Sequence, residues 1–433
     1  MLKAGTSLTD ISPQKGIALA GYPHCPRYNT GVHDPLYAAC LYLNNGRRGV
    51  VIVTLDLLYI GKRIVKRLRE KIGVDIMFCT SHTHSGPWAS TPLASEIAEN
   101  IYPDEEYVEG LFQKLELTIW EAMKNTFDAQ IGTNIGYCGA EQGVGGNRRT
   151  PGGVCDPSVN VLAVRDAHGI VRACMLNYTL HPTFLHAEST VVSADYPAYV
   201  RRYLEFAFPE AVFLFSQGTS GDQSSRYHRV GQDFEEAARV GTTLGVAVFN
   251  CFKNIQFISE LAIEVYSTET ELPMRLFLPL EQAEQEMWLA RQRFADLDDS
   301  DYIAKRNAEL AMFGAENNFY FSRMAREGAL SSDELPCEIQ AIRLGDTLLT
   351  GIQGELFVEY GLKIKELSQF EKTFVCSVTN GSLPGYIYTP EAGKAGGYET
   401  GTSAFSDQAG DTVIRAFRDL QKLIILEKPS GSS

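Results

Sequence analysis

Val50-Val51-Ile52-Val53-Thr54-Leu55, then a charged stretch of helical period over 62–71, then Asp75-Ile76-Met77-Phe78-Cys79-Thr80 running into Ser81-His82-Thr83-His84: this passage decides the fold. Two short runs of β-branched and apolar residues read as buried strands, and the helical stretch between them makes one β-α-β unit, parallel and right-handed. The same alternation continues outward. Strands are expected over 159–165, 171–178, 212–216, 262–268, 338–343 and 347–352, and helices over 105–124, 196–206, 232–250, 356–367 and 408–425. The pattern predicts an α/β protein with a mixed, mainly parallel sheet core, flanking helices and a single large catalytic domain over 1–428. Residues 280–329 are rich in Ala, Glu, Gln, Arg and Met and lack proline, so one or two long helices, in a hairpin, are expected there. A packed surface excursion is the plainer reading of that hairpin, ahead of a lid or a homo-oligomer contact. The low-complexity end, Lys428-Pro429-Ser430-Gly431-Ser432-Ser433, reads as a disordered tail.

The 433 residues are 44% hydrophobic and 21% charged, the balance of a globular protein with a sizeable core. With 53 acidic against 39 basic residues and a formal charge of −14, the chain is poorly suited to grip nucleic-acid phosphates or an anionic lipid surface. Nine scattered cysteines, none in a Cys-x-x-Cys pair, fit reduced core thiols better than a disulfide framework or a cysteine-rich zinc site. The first residues carry no basic stretch and apolar run of a secretory signal, and the longest apolar run, 49–58, is too short to span a bilayer. A cytoplasmic protein without a membrane span is the expectation.

Chemistry gathers at strand ends. His82 and His84 follow the second strand at a spacing of two, which on an extended chain points both imidazoles to one side, into the crevice where open α/β sheets bind ligands. A zinc site needs a third histidine and a carboxylate. His181, just past the 171–178 strand, is favoured over His186 by its position. Phe213-Leu214-Phe215-Ser216-Gln217-Gly218-Thr219-Ser220-Gly221-Asp222-Gln223-Ser224 runs from a strand into a small polar loop of the kind that sets hydroxyls and N–H groups beside a carbonyl. It is neither a Gly-x-Ser-x-Gly elbow nor a phosphate-binding loop. Glu355 either complements a helix N-terminus or binds metal, with capping the first reading. Asp56 and Asp195 either orient a histidine or cap a turn.

Taken in order, these segments resemble the catalytic domain of the neutral, non-lysosomal ceramidases. They are Gly31-Val32-His33, Thr54-Leu55-Asp56-Leu57, Ser81-His82-Thr83-His84-Ser85-Gly86-Pro87, Gly145-Gly146-Asn147-Arg148, Leu180-His181-Pro182 with Ser193-Ala194-Asp195, the 217–224 loop, Gly354-Glu355, and Gly385-Tyr386-Ile387-Tyr388-Thr389-Pro390. The resemblance implies zinc (Zn2+) held by His82, His181, Glu355 and Tyr386, His84 as acid/base, Ser224 as a hydroxyl at the scissile carbonyl, with Tyr386 counted among the catalytic groups. His33, Arg148 and Asp195 would be substrate contacts, and the substrate a lipid or small-molecule N-acyl amide. Two departures bear on substrate. No immunoglobulin-like C-terminal domain of the kind the larger ceramidases carry is expected in these 433 residues, and the family's Ser-Pro-Asn is Ser224-Ser225-Arg226, a cation beside the serine. Rival readings are a (β/α)8-barrel metal amidohydrolase, which also uses a His-x-His pair, and a lipid- or glycan-binding protein of the same fold without turnover.

Overall fold

A computed structural model describes residues 1–22, 24–89, 103–298, 300–328, 330 and 334–426. The expected disordered tail over 429–433 lies outside them. Eight strands form the larger sheet: β1 (Lys3–Asp10), β2 (Tyr37–Asn44), β3 (Gly49–Leu55), β4 (Asp75–Thr80), β5 (Thr126–Tyr137), β6 (Ser158–Asp166), β7 (Val171–Tyr178) and β8 (Val212–Gln217), in the order β8-β7-β6-β5-β1-β2-β3-β4. Four more, β9 (Ile263–Pro273), β10 (Glu334–Leu344), β11 (Thr347–Ile352) and β12 (Lys372–Cys376), make a second sheet in chain order. The mixed α/β class is as the sequence predicts, and β3 pairs β4 in parallel across the helix α1 (Lys62–Ile72). Parallel pairing is confined to β3/β4, β7/β8 and β11/β12; every other pairing within the two sheets is antiparallel among the described residues. For β2/β3 and β6/β7 the short loops at 45–48 and 167–170 explain this, since they close hairpins and leave no room for a crossover. Two open sheets replace the barrel alternative.

Helix α1 forms because Ile64, Val65, Leu68 and Ile72 fall on one face, and it ends where Gly73 takes a left-handed φ of 71° and donates its N–H to Arg69. Its apolar face, with that of α2 (Glu105–Lys124), covers the β1–β4 half of the large sheet. The helices α3 (Tyr196–Ala207) and α4 (Phe234–Cys251) cover the β5–β8 half, packing Val200, Leu204 and Leu244 on Val161, Leu176 and Phe215. Burying each such side chain contributes about 1.5–3 kcal/mol. The inner faces of the two sheets meet through Ile52, Met77, Met175 and Leu214 against Ile342, Leu349 and Phe374. The second sheet's outer face is closed by α7 (Val358–Leu367) and α8 (Ala409–Leu426). The 280–329 segment forms the expected hairpin, α5 (Leu280–Asp296) and α6 (Tyr302–Arg326), numbered in chain order ahead of α7. The stack is helix, sheet, sheet, helix, and β4, β7, β8 and β11 all send their carboxyl ends to the region described next.

Candidate metal centre

Past Thr80 the chain stays tied to the end of β3, with Ser81 N–H donating to Leu55 and His82 N–H to Leu57, both at 2.9 Å. His82 then turns into a left-handed φ of 64°, a conformation that non-glycine residues adopt at a cost and that clusters at functional sites. The two histidines do share one site, but by this kink and the turn at His84, not by the extended alternation that the spacing implies. His181 joins them just beyond β7. Ring centroids are 5.1 Å apart for His82 and His84, 4.9 Å for His82 and His181, and 5.6 Å for His84 and His181.

Each imidazole is pinned by a backbone carbonyl. Nδ1 of His82 lies 2.9 Å from Leu58 O, that of His84 2.9 Å from Gly21 O, and that of His181 2.6 Å from Ser220 O. A carbonyl only accepts, so Nδ1 carries the proton in all three and each Nε2 presents a lone pair. The ligating atoms of the three side chains lie within 4.8 Å of one another. Oε2 of Glu355 stands 3.2 Å from Nε2 of both His82 and His181. The His82 approach lacks hydrogen-bond geometry, and Nε2 of His82 and of His84 are buried without a hydrogen-bond partner. With Nδ1 of each ring on a backbone carbonyl, three imidazole Nε2 atoms and a carboxylate gather at one point, and Nε2 of His181 is within hydrogen-bond distance of Glu355. That donor set fits a divalent cation of zinc's preferences.

The electrostatics agree. Burial, then the neighbouring imidazoles, hold His84 well below its ordinary value. Burial, reinforced by Arg148, brings His181 down to about 4. Both are neutral ligands or bases near pH 7. Burial raises the Glu355 carboxyl, but the charge and hydrogen bonds that His82 and His181 supply when they carry a proton hold it well below its ordinary value.

Glu355 and Tyr386 are direct partners in a short parallel pair, Glu355–Leu356 with Tyr386–Ile387. Arg148 lies over the Tyr386 ring at 5.3 Å, donates to Gly221 O at 2.7 Å, and is held at 2.8 Å by Glu399, which also takes Arg149. Burial, then Glu355, pushes the Tyr386 phenol well above its ordinary value, so only a cation in its reach would make it a ligand.

With this geometry in view, comparison with solved structures is informative. Neutral ceramidase from Pseudomonas aeruginosa superposes with a TM-score of 0.75 over 100% of this chain and 76% of that one, at 17% sequence identity. The fold is that of the neutral ceramidases. A second structure, a ceramidase complexed with C2, gives 0.75 over the same shares at 16% identity. The sequence matches no protein-family model and no curated protein.

On this ceramidase fold the sequence-predicted residues separate into two groups. His82, His84, His181 and Glu355 converge; Tyr386 and Arg148 adjoin them. Ser224 is buried beside Gln223, whose carbonyl also approaches His181 Nδ1 at 3.2 Å, and pairs with Gly146 across the loop. His186 stands apart, bonded to Glu188 and tilted against the Tyr22 ring. The His33 ring contacts Phe234 and Asp34 rather than the histidines. Asp195 is 1% exposed, with its oxygens on the N–H groups of Leu185 and Tyr196, and caps α3. Asp56 is buried against Arg201 and the Tyr37 N–H. Gly21, Tyr22 and Glu399 escaped the sequence reading. Gly21 has a φ of 96°, and a Cβ there would sit 2.5 Å from that of His84; a lone glycine in a loop gives no signal of such a contact.

Proposed function

We propose that this protein is a zinc-dependent amidohydrolase that cleaves the N-acyl amide of a ceramide-like lipid or of a smaller N-acyl amine. The observation that carries the reading is the convergence of three carbonyl-pinned imidazoles, two with orphaned Nε2 atoms, on the Glu355 carboxylate. His82, His181 and Glu355, with Tyr386 alongside, would hold the metal. When bound there, zinc supplies Lewis-acid chemistry, polarising a carbonyl and acidifying water.

Hydrolysis adds hydroxyl to the acyl carbon and a proton to the departing nitrogen. His84 is neutral, with a free Nε2 lone pair, so it takes the proton from water and delivers it to that nitrogen. Arg148, fixed by Glu399, and the Ser224 hydroxyl orient the acyl group. Arg226 donates to the Arg148 carbonyl at 3.3 Å and is exposed, placing a cation at the rim where the family pattern has asparagine. That change favours a small or polar-headed N-acyl amine over ceramide itself. Among the described residues no helix is long and apolar enough to cross a membrane.

The test is elemental analysis of purified protein in chelator-free buffer, followed by a screen of N-acyl amides. About one zinc per chain and metal-dependent release of an amine are expected. Stoichiometric metal without turnover of any acyl amide would leave the binding-protein reading in place.

A further inference from the structure

The hairpin formed by α5 and α6 has the sequence of a surface excursion, yet α6 touches both walls of the site. On one side lies the loop that includes residues 20–22 and 24–27, of which Gly21, Tyr22 and Arg27 contact His84. Gly21 accepts from its Nδ1 at 2.9 Å, the Tyr22 ring lies tilted against it with centroids 5.2 Å apart, and buried Arg27 bonds both the His84 and the Ala20 carbonyls at 2.7 Å. The outer end of that loop is His24. Its ring lies flat on Phe313 of α6, with centroids 4.0 Å apart and planes 8° from parallel, and its Nδ1 meets Glu316 of α6 at 2.9 Å. Arg291 of α5 takes the other Glu316 oxygen at 2.8 Å. On the other side Gly314 packs backbone to backbone on Gly401, at the end of the short helix Tyr398–Gly401 that carries Glu399, the residue holding Arg148.

We propose that α6 belongs to the catalytic apparatus, and that His24 and Glu316 are positioning residues that set the His84 imidazole through the 20–27 loop. This rests on the amidohydrolase reading for the role of His84, though not for the coupling itself. The Gly21 carbonyl fixes both the tautomer and the direction of that imidazole, and His24, stacked on Phe313 and bonded to Glu316, joins the loop to α6. Cutting the link removes the α6 support from a loop that Arg27 and Tyr22 still tie to Ser189 and Leu185, so the Gly21 carbonyl shifts without any change to His82, His181 or Glu355.

The experiment compares His24→Ala and the near-isosteric Glu316→Gln with wild-type full-length protein loaded with zinc. Three readouts are taken: zinc content, kcat and KM on an unactivated N-acyl amide, and the imidazole NMR signals of His82, His84 and His181. The expected result is unchanged zinc, unchanged KM, kcat lowered by about 10- to 100-fold, as for a misplaced proton donor, and a shift or broadening confined to His84. A His84 signal that moves in a protein whose wild type hydrolyses no acyl amide would keep the coupling and discard the amidohydrolase reading. A His84 signal and kcat that both stay at wild-type values overturn the proposal, as does loss of zinc together with equal changes at all three histidines, which would mean general loosening.

Discussion

His82 and His84 are two residues apart, but different parts of the molecule hold them. The His82 proton goes to Leu58, in the connection leaving β3, just as that of His181 goes to Ser220 beyond β8 and Glu355 is registered against Tyr386. These anchors all belong to the ends of the two sheets. His84 instead leans on Gly21, in a loop that Arg27 and Tyr22 tie to the 185–189 segment and that His24 joins to the peripheral hairpin. The donors proposed to face the metal thus hang from elements of the core, while His84, the proposed proton-transfer group, leans on a loop whose contact with α6 can be cut without unfolding the sheets. Metal affinity and turnover should therefore be separable by mutation.

The sharpest break is at His82. His82→Ala removes a ligand and leaves Glu355 facing one imidazole fewer, so zinc content should fall from one per chain to near zero, with turnover lost alongside; elemental analysis beside an amine-release assay reads both. His84→Gln should behave oppositely. Zinc should stay bound while kcat falls about 10²- to 10⁴-fold, the range for a general acid or base. If zinc is lost in this variant too, the compact triad of His82, His84 and His181 is itself the ligand set, and the two-part division of the site fails.

The sequence announces the rigid half far better than the dependent half. The β3-α1-β4 unit, the histidine pair and His181 were legible because buried strands carry unbroken apolar runs and their ends are where α/β sheets bind ligands. The central strand β1, Lys3–Asp10, was not: its polar residues and half-exposed end give no apolar run, and its burial comes from pairing with β2 and β5. Likewise β5, Thr126–Tyr137, is interrupted by Gly132 and Gly136, positions where a Cβ would strike Ile255 and Cys251. Tyr386 as a partner of Glu355 is a matter of register between segments 31 residues apart, which no local pattern encodes. The contacts from Gly21 to His84 and from His24 to Glu316 are tertiary in the same way.

Gly21 offers a gentler probe of the dependent half. Gly21→Ala adds a methyl 2.5 Å from the His84 Cβ at a backbone φ of 96°, so either the loop or the histidine must move. A cost of about 1–3 kcal/mol is expected for the strained backbone. In chemical denaturation the variant should be less stable by that amount, and its kcat should fall while its zinc content holds. Zinc loss here would show that His84 and the ligands move as one body.

The smallest effect per step belongs to Asp195, which the family resemblance makes a substrate contact but which the structure buries behind Leu185 as the cap of α3. Burial, opposed by the Leu185 and Tyr196 N–H bonds and reinforced by Asp34, raises its carboxyl to about 7. In the unfolded chain an aspartate titrates near 4. Between those values the native state binds the proton that the unfolded state has released. The stabilisation is therefore complete below about pH 4, declines as pH rises to about 7, and is absent above, with a slope of at most about 1.4 kcal/mol per pH unit. Asp195→Asn cannot titrate, so the stability difference between the two proteins should vary across that window and be flat outside it, with KM unchanged because the side chain faces the frame. A pH-independent difference together with a raised KM would return Asp195 to the substrate and place the 181–195 segment with the dependent half of the site.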